Sequence, residues 1–307
     1  MINRDIQTAV ITGPTGCIGT ALAQNLLDKG ITVYAVVRPD SKRIDNLPKD
    51  VQIIFCDLSD LESLPNLIPS ADAFFHLGWA NTIGPGRNDM PSQIQNIQYA
   101  IDAVRAANKL GCNVFIGAGS QAEYGPVEGV LKPDTPRSPK MGYGIAKNCA
   151  GDMTRIECEK FQMDHIWIRV LSIYGPCDGE MTMISSVIKS LLNGEKPSLT
   201  KGEQFWDYLY SKDAAEAFCK AAFHGVKGKT YPLGSGKAIP LRQYIETLRD
   251  AIDPGLSLGF GEIPYGLNQV MHLEADISEL QADTGFIPSY SFKDGITETI
   301  AWKKEHL

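Results

Sequence analysis

The segment Gly13-Pro14-Thr15-Gly16-Cys17-Ile18-Gly19 follows directly on the apolar run Ala9-Val10-Ile11-Thr12 and opens a stretch with Ile18, Leu22, Leu26 and Leu27 at helical spacing. A strand, a glycine-rich turn and a helix in that order leave few choices of fold. Glycines there permit a tight turn and close backbone approach to a pyrophosphate, whose charge then sits at a helix N-terminus. The spacing is Gly-x-x-Gly-x-x-Gly, one step from the more familiar Gly-x-Gly-x-x-Gly. A plain strand-to-helix turn uses glycines too. With this strand before it and this helix after it, the segment points to dinucleotide binding, with Gly13, Thr15, Gly16, Cys17 and Ile18 at the phosphates.

The pattern continues. Short apolar runs at Ile31 to Val37, Val51 to Phe55, Ala73 to His76, Val114 to Gly117 and Ile166 to Val170 alternate with amphipathic stretches. This predicts an α/β fold, a doubly wound parallel Rossmann sheet with helices on both faces. Ile94, Ile97, Ile101 and Val104 fall on one helix stripe facing a core or a partner, and a second long helix is expected over about Tyr143 to Phe161. After Tyr174-Gly175-Pro176 the chain becomes turn-rich. Residues 1–174 are therefore expected to form the dinucleotide-binding domain, and residues 175–307 mainly a smaller substrate-binding lobe with some segments returning to the first domain. The stretch Gly125 to Pro139 reads as a loop at the carboxyl edge of the sheet, where ligand crevices form.

Composition narrows the class of function. The 307 residues are 43% apolar and carry a formal charge of −7, from 29 Lys and Arg against 36 Asp and Glu. That supports a large core and offers no basic field for a nucleic-acid backbone. No apolar run approaches a bilayer span and no signal peptide is evident, so no membrane association and a cytoplasmic location are expected. The seven cysteines (17, 56, 112, 149, 158, 177 and 219) are scattered with no Cys-x-x-Cys. Neither a disulfide framework nor a metal site is indicated.

Two positions bear on the cofactor. Val36-Val37-Arg38-Pro39 ends the second strand with a guanidinium where NAD-preferring sites usually carry an acid for the ribose hydroxyls. A planar cation suits a 2′-phosphate, so NADP is expected, with NAD as the alternative. Ser41, Lys42 and Arg43 either add to that site or form a solvated loop. Asp57 is placed to meet an adenine edge or, equally, to cap the helix starting near Ser59.

Downstream, Ser120 follows the fifth strand and Tyr143-Gly144-Ile145-Ala146-Lys147 opens the second long helix. Positions i and i+4 share a helix face, so Lys147 can approach the Tyr143 phenol and a nicotinamide ribose together. An adjacent ammonium favours the phenolate of a group whose ordinary pKa is near ~10, which makes Tyr143 a usable proton relay. Ser120 is suited to hold the reacting oxygen. Each residue alone has a commonplace reading; in this order behind a nucleotide loop they form a catalytic set.

With these residues in place, the chain resembles the extended short-chain dehydrogenase/reductase family that modifies nucleotide-activated sugars. The likeness runs through the Gly13 to Gly19 loop, Asp57-Leu58, Phe75-His76-Leu77, Asn96, Gly119-Ser120 with Glu123-Tyr124-Gly125, Tyr143 with Lys147, Arg169 to Pro176, and Asp207 to Asp213. The resemblance implies catalysis by Ser120, Tyr143 and Lys147 and cofactor contacts that also include Leu58, Leu77 and Gly78. It further implies a nucleotide-sugar substrate in the carboxy-terminal lobe and a homodimer through a four-helix bundle. His76 is expected to pack beside the phosphate crevice rather than to act as an acid or base.

Departures from the family narrow the reaction. Gln121-Ala122 stands where sugar 4,6-dehydratases carry an Asp-Glu pair, so ready dehydration is not expected. Ala122 and Cys177 replace the Cys and His of the epimerase-reductases that make fucose-type sugars. Trp206 replaces an Arg that grips the substrate pyrophosphate in many relatives, and either stacks on a base or fills space between lobes. The segments Gly117 to Gly125 and Trp206 to Tyr210 look most like the 4-keto reductases that complete CDP-linked dideoxyhexoses. Trp79 is expected to line the sugar pocket or shield the nicotinamide, with Gln121, Glu123 and Tyr124 as further substrate contacts. For Glu123 and Tyr124 loop anchoring is the simpler role, and Arg242 either reaches a phosphate or is solvated. The leading expectation is an NADP(H)-dependent reductase of a nucleotide-diphospho-hexose 4-keto group. A 4-epimerase with tightly held cofactor is the alternative, and a non-catalytic dinucleotide sensor comes third.

Overall fold

The computed structural model describes residues 2–266 and 269–306. Seven parallel strands form the central sheet: β1 (Thr8–Thr12), β2 (Thr32–Val37), β3 (Gln52–Phe55), β4 (Ala73–His76), β5 (Val114–Ser120), β6 (Asp164–Val170) and β7 (Thr230–Leu233). Their order across the sheet is β7-β6-β5-β4-β1-β2-β3. The chain thus moves outward from β1 to β3, returns to β4 on the other side, and leaves a crevice at the carboxyl ends of β1 and β4. β1 to β6 are the strands expected from the apolar runs. β7 was not anticipated. Its Pro232 lacks an N–H, a residue tolerated because β7 is an edge strand.

Helices α1 (Cys17–Asp28), α2 (Met90–Leu110), α3 (Gly142–Lys160), α4 (Met183–Leu192), α5 (Ser211–His224), α6 (Leu241–Ile252), α7 (Ser278–Thr284) and α8 (Phe292–Glu305) complete the framework. Pro91 lies in the first turn of α2, where its missing N–H costs nothing, and Gly111 closes that helix in the left-handed conformation at φ 83°. α1 and α5 pack together on one sheet face; α2 and α3 pack together on the other. Under α2 and α3 the rings of Phe74, His76, Phe115, His165 and Trp167 stack in succession across β4, β5 and β6. His76 is therefore part of the core. Its Nδ1 lies 2.9 Å from the Thr12 hydroxyl, and burial with the nearby Lys147 charge depresses its pKa to about 3.

The expected α2 stripe is divided between two environments. Ile94 is 65% exposed, Ile97 and Ile101 are half-buried, and Val104 is fully buried.

A smaller lobe with its own apolar cluster, drawn from α4, α6 and α8, lies after residue 175. Between it and the main core the strand His272–Ala275, whose Leu273 and Ala275 pack into the main core, runs beside Phe205–Trp206 and, on its other side, beside Val130–Leu131 of the loop predicted at the carboxyl edge of the sheet. Asp207, wholly buried, accepts hydrogen bonds from the backbone N–H groups of Ser235, Gly236 and Ala275. That carboxylate ties β7's exit to the lobe. Among the described residues no helix is long and apolar enough to cross a membrane.

Candidate active site

The glycine turn is dictated by contact. Gly13 has φ 68°, and a Cβ on it would stand 2.8 Å from the Gly78 nitrogen; a Cβ on Gly19 would overlap the Gly13 carbonyl oxygen. α1 therefore starts hard against β1 and the β4 exit. Gly16 caps the helix without a side-chain acceptor, and no acidic residue occupies the first turn. The first N–H groups of α1 and its positive dipole end are left for an anion. Gly13, Gly16, Cys17 and Ile18 line a cleft of about 370 Å³, with Leu77 and Gly119 facing them from the neighbouring strand ends. Thr15 lies in the turn itself, half-buried. Burial raises the Cys17 thiol well above its ordinary pKa, so it contributes as a small neutral group.

On the other side of the turn, Arg38 leaves β2 exposed, its guanidinium 4.0 Å from Asp40. Asp57 accepts from both the N–H and the hydroxyl of Ser59, the capping role weighed above. Leu58 stands over buried Gly78, where a Cβ would meet the leucine methyl at 3.0 Å. A glycine cradle and an uncapped helix end fit the pyrophosphate of a dinucleotide.

Ser120, Tyr143 and Lys147 converge at the other end of the cleft. Ser120 ends β5, its hydroxyl accepts from the Ala122 N–H at 3.2 Å, and it lies near enough to the Tyr143 phenol to favour that group's ionisation. Tyr143 and Lys147 project from the first two turns of α3 and both line the cleft. Lys147 is only 3% exposed; its Nζ donates to the Ala118 carbonyl at 2.6 Å and lies 3.8 Å from the centre of a Trp79 ring. Burial pushes its pKa down to about 7. The expectation that Lys147 makes Tyr143 acidic needs correction for this form of the site. The ammonium is 6.0 Å from the Tyr143 ring centre and turned toward Trp79, while burial raises the phenol pKa against the opposing effects of the nearby Ser120 hydroxyl and Arg87.

Of the expected substrate contacts, Trp79 lines the cleft edge-on to Tyr143, its indole N–H held by Gln93 Oε1 at 2.9 Å. Gln121 is half-buried in the turn after Ser120. Glu123 is not available to a sugar. It is 1% exposed and accepts from the Ser120 N–H at 2.8 Å, Trp167 Nε1 at 3.0 Å and Arg169 Nε at 2.7 Å. Tyr124 is likewise fully buried beneath the Arg169 guanidinium. These two anchor the loop. Trp206 packs against the cores of both domain and lobe and donates to the Ser172 hydroxyl at 2.8 Å, the space-filling alternative. Arg242 is spent elsewhere. It lies over the Phe260 ring, donates to the Lys201 carbonyl and stands 3.5 Å from Glu246.

One site residue was missed. Arg87, in the turn Gly84–Asn88, places its guanidinium 4.8 Å from the Tyr143 ring centre. Its only signal in the sequence is that it is the lone basic residue between His76 and Arg105. Among the described residues, no group of three or more His, Cys, Asp and Glu side chains is arranged to hold a metal ion.

Comparison with known proteins agrees with this fold. The sequence model of a family described as NAD dependent epimerase/dehydratase matches residues 9–234. The chain is 25% identical over 308 residues to a Bacillus subtilis (strain 168) protein described as an uncharacterized UDP-glucose epimerase, covering 95% of this chain and 96% of that one. It is 24% identical to the CDP-abequose synthase of Salmonella typhimurium, over 95% and 96% of the two chains. Among solved structures, the UDP-N-acetylglucosamine 4-epimerase from Methanobrevibacter ruminantium M1, in complex with UDP-N-acetylmuramic acid, matches with a TM-score of 0.86 at 25% identity, covering 99% of this chain and 100% of that one.

Proposed function

Because the chain belongs to the NAD dependent epimerase/dehydratase family, we propose that it is a nucleotide-sugar oxidoreductase that reduces the 4-keto group of a nucleotide-diphospho-hexose with NADP(H). The observation that carries this reading is the convergence of Tyr143 and Lys147 on one cleft at the end of β5, with the Ser120 hydroxyl nearby and desolvation raising the phenol pKa so that it keeps its proton. A protonated acid beside a second hydroxyl is what delivery of a proton to a carbonyl oxygen requires. The N–H groups of Gly16, Cys17 and Ile18 would hold the pyrophosphate of the dinucleotide, Arg38 its 2′-phosphate, and Lys147 its nicotinamide ribose. When bound, the reduced dinucleotide supplies hydride to the sugar carbon. Ser120 orients the carbonyl oxygen, and Tyr143 gives it a proton. Gln121 and Ala122 offer no acid–base pair for elimination of water. The likeness to CDP-abequose synthase supports a CDP-linked deoxysugar as substrate.

A second reading, 4-epimerisation, uses the same residues with hydride removed and returned in one turnover; the whole-chain likeness to the solved 4-epimerase favours it. Purified protein supplied with NADPH or NADH and a panel of CDP-, dTDP-, UDP- and GDP-4-keto-sugars separates the two. The reductase reading expects net oxidation of NADPH in preference to NADH. Inversion at C4 of a nucleotide-sugar without net redox change establishes the epimerase instead, and neither outcome with any substrate defeats both. A homodimer is part of the proposal. Ile94 of α2 and Ile145, Met153 and Ile156 of α3 form an exposed apolar face suited to a four-helix bundle.

A further inference from the structure

Arg87 sits in a turn that is bolted to the head of α3. The Asn88 Oδ1 accepts the Gly142 N–H at 2.9 Å, and the Gln93 amide donates to the carbonyls of Gly86 at 3.0 Å and Asn81 at 3.1 Å. Gly142 leaves room for this contact, since a Cβ there would stand 2.8 Å from the Met90 sulfur and 3.2 Å from the Arg87 carbonyl oxygen. The guanidinium so placed covers the Tyr143 ring. Its Nε is buried without a hydrogen-bond partner, and among the described residues no carboxylate lies within ion-pair distance of it. An arginine kept unpaired at a partly buried position is costly unless its charge is used.

We propose that Arg87 is a positioning residue of the reaction, its guanidinium being the fixed positive charge that holds the phenolate left when Tyr143 has given up its proton. This rests on the reading of Tyr143 as proton donor. In the reduction the Tyr143 O–H bond breaks, its proton joins the carbonyl oxygen as the carbon gains hydride, and one proton from solvent later restores the phenol. The negative charge lives in between on a half-buried ring. Around that ring stand Arg87 from the turn before α2, the Glu123 carboxylate from the turn after β5, already paired with Arg169, and Lys147 from α3 itself. Lys147 faces Trp79 and loses its proton near neutrality. Arginine does not deprotonate in this range, so Arg87 supplies the countercharge at every working pH.

The test uses the full-length protein carrying fluorinated tyrosine, whose more acidic phenol titrates while the protein stays folded. The Tyr143 fluorine signal is identified by its loss in Tyr143→Phe. Arg87→Gln is expected to raise the Tyr143 titration by roughly one to two pH units. It should lower kcat for 4-keto-sugar reduction by about tenfold to a hundredfold, with little change in KM, and Arg87→Lys should recover part of both. An unmoved titration in Arg87→Gln, or a change confined to KM, overturns the proposal. If Arg87→Gln does not fold, an Arg87→Lys titration shifted in the same direction supports it and an unshifted one overturns it. Full turnover by Tyr143→Phe would instead remove the functional reading, and the titration still shows whether Arg87 governs the phenol.

Discussion

Lys147 carries its charge at a cost to the fold. Its ammonium is enclosed by Trp79 and the β5 backbone with no carboxylate partner among the described residues, and its pKa has fallen to about 7 from an ordinary value near 10.5. Between these limits the unfolded chain binds more protons than the folded one, so this group's penalty is full below pH 7 and shrinks as pH rises toward 10.5. Lys147→Met is thus expected to stabilise the cofactor-free protein by roughly 1–4 kcal/mol, more at pH 6 than at pH 9, while abolishing turnover. Calorimetric melting at the two pH values checks this; equal or lower stability of the variant at pH 6 would contradict it. A residue whose removal steadies the fold is retained for chemistry.

At the scale of the element, the turn after β5 shows what the sequence could disclose and what it could not. Ser120, Tyr143 and Lys147 are legible because their spacing is local and their order follows strand and helix. The loop-anchoring role of Glu123 was legible too, but not its partners: Trp167 and Arg169 lie 44 and 46 residues away, on β6. Only the alternation of His165, Trp167 and Arg169 on one face of that strand brings them there. Arg87 was hidden for a related reason, since a Gly-Pro-Gly turn has no periodicity from which a side chain's direction follows. Replacing Glu123 by Gln leaves Arg169 uncompensated in a dry site and is expected to cost about 3–5 kcal/mol. Urea unfolding measures it, and a loss below about 1 kcal/mol would show the pair to be solvated after all.

For the whole molecule, the succession of β1 to β6 along the chain was readable from apolar runs alone, whereas the strand order across the sheet and the return of the chain as β7 were not. Four residues interrupted by Pro232 carry too little pattern, and only the edge of a finished sheet makes a strand of them. The α2 and α3 surface poses the opposite case: Ile94 and Ile156 are exposed where a monomer would bury them. Ile94→Asp combined with Ile156→Asp is expected to weaken self-association by roughly a hundredfold or more. Sedimentation velocity is expected to show a dimer for the parent and a monomer for the variant; a monomeric parent or an unchanged boundary would remove the bundle. The strand His272–Ala275, laced to the lobe on one flank and to the loop beyond Ser120 on the other, has a mechanical corollary. The upper storey cannot swing away like a door without dragging the floor on which the serine stands. A ligand is then expected to enter and leave past the lip of the crevice, where Trp79 keeps watch.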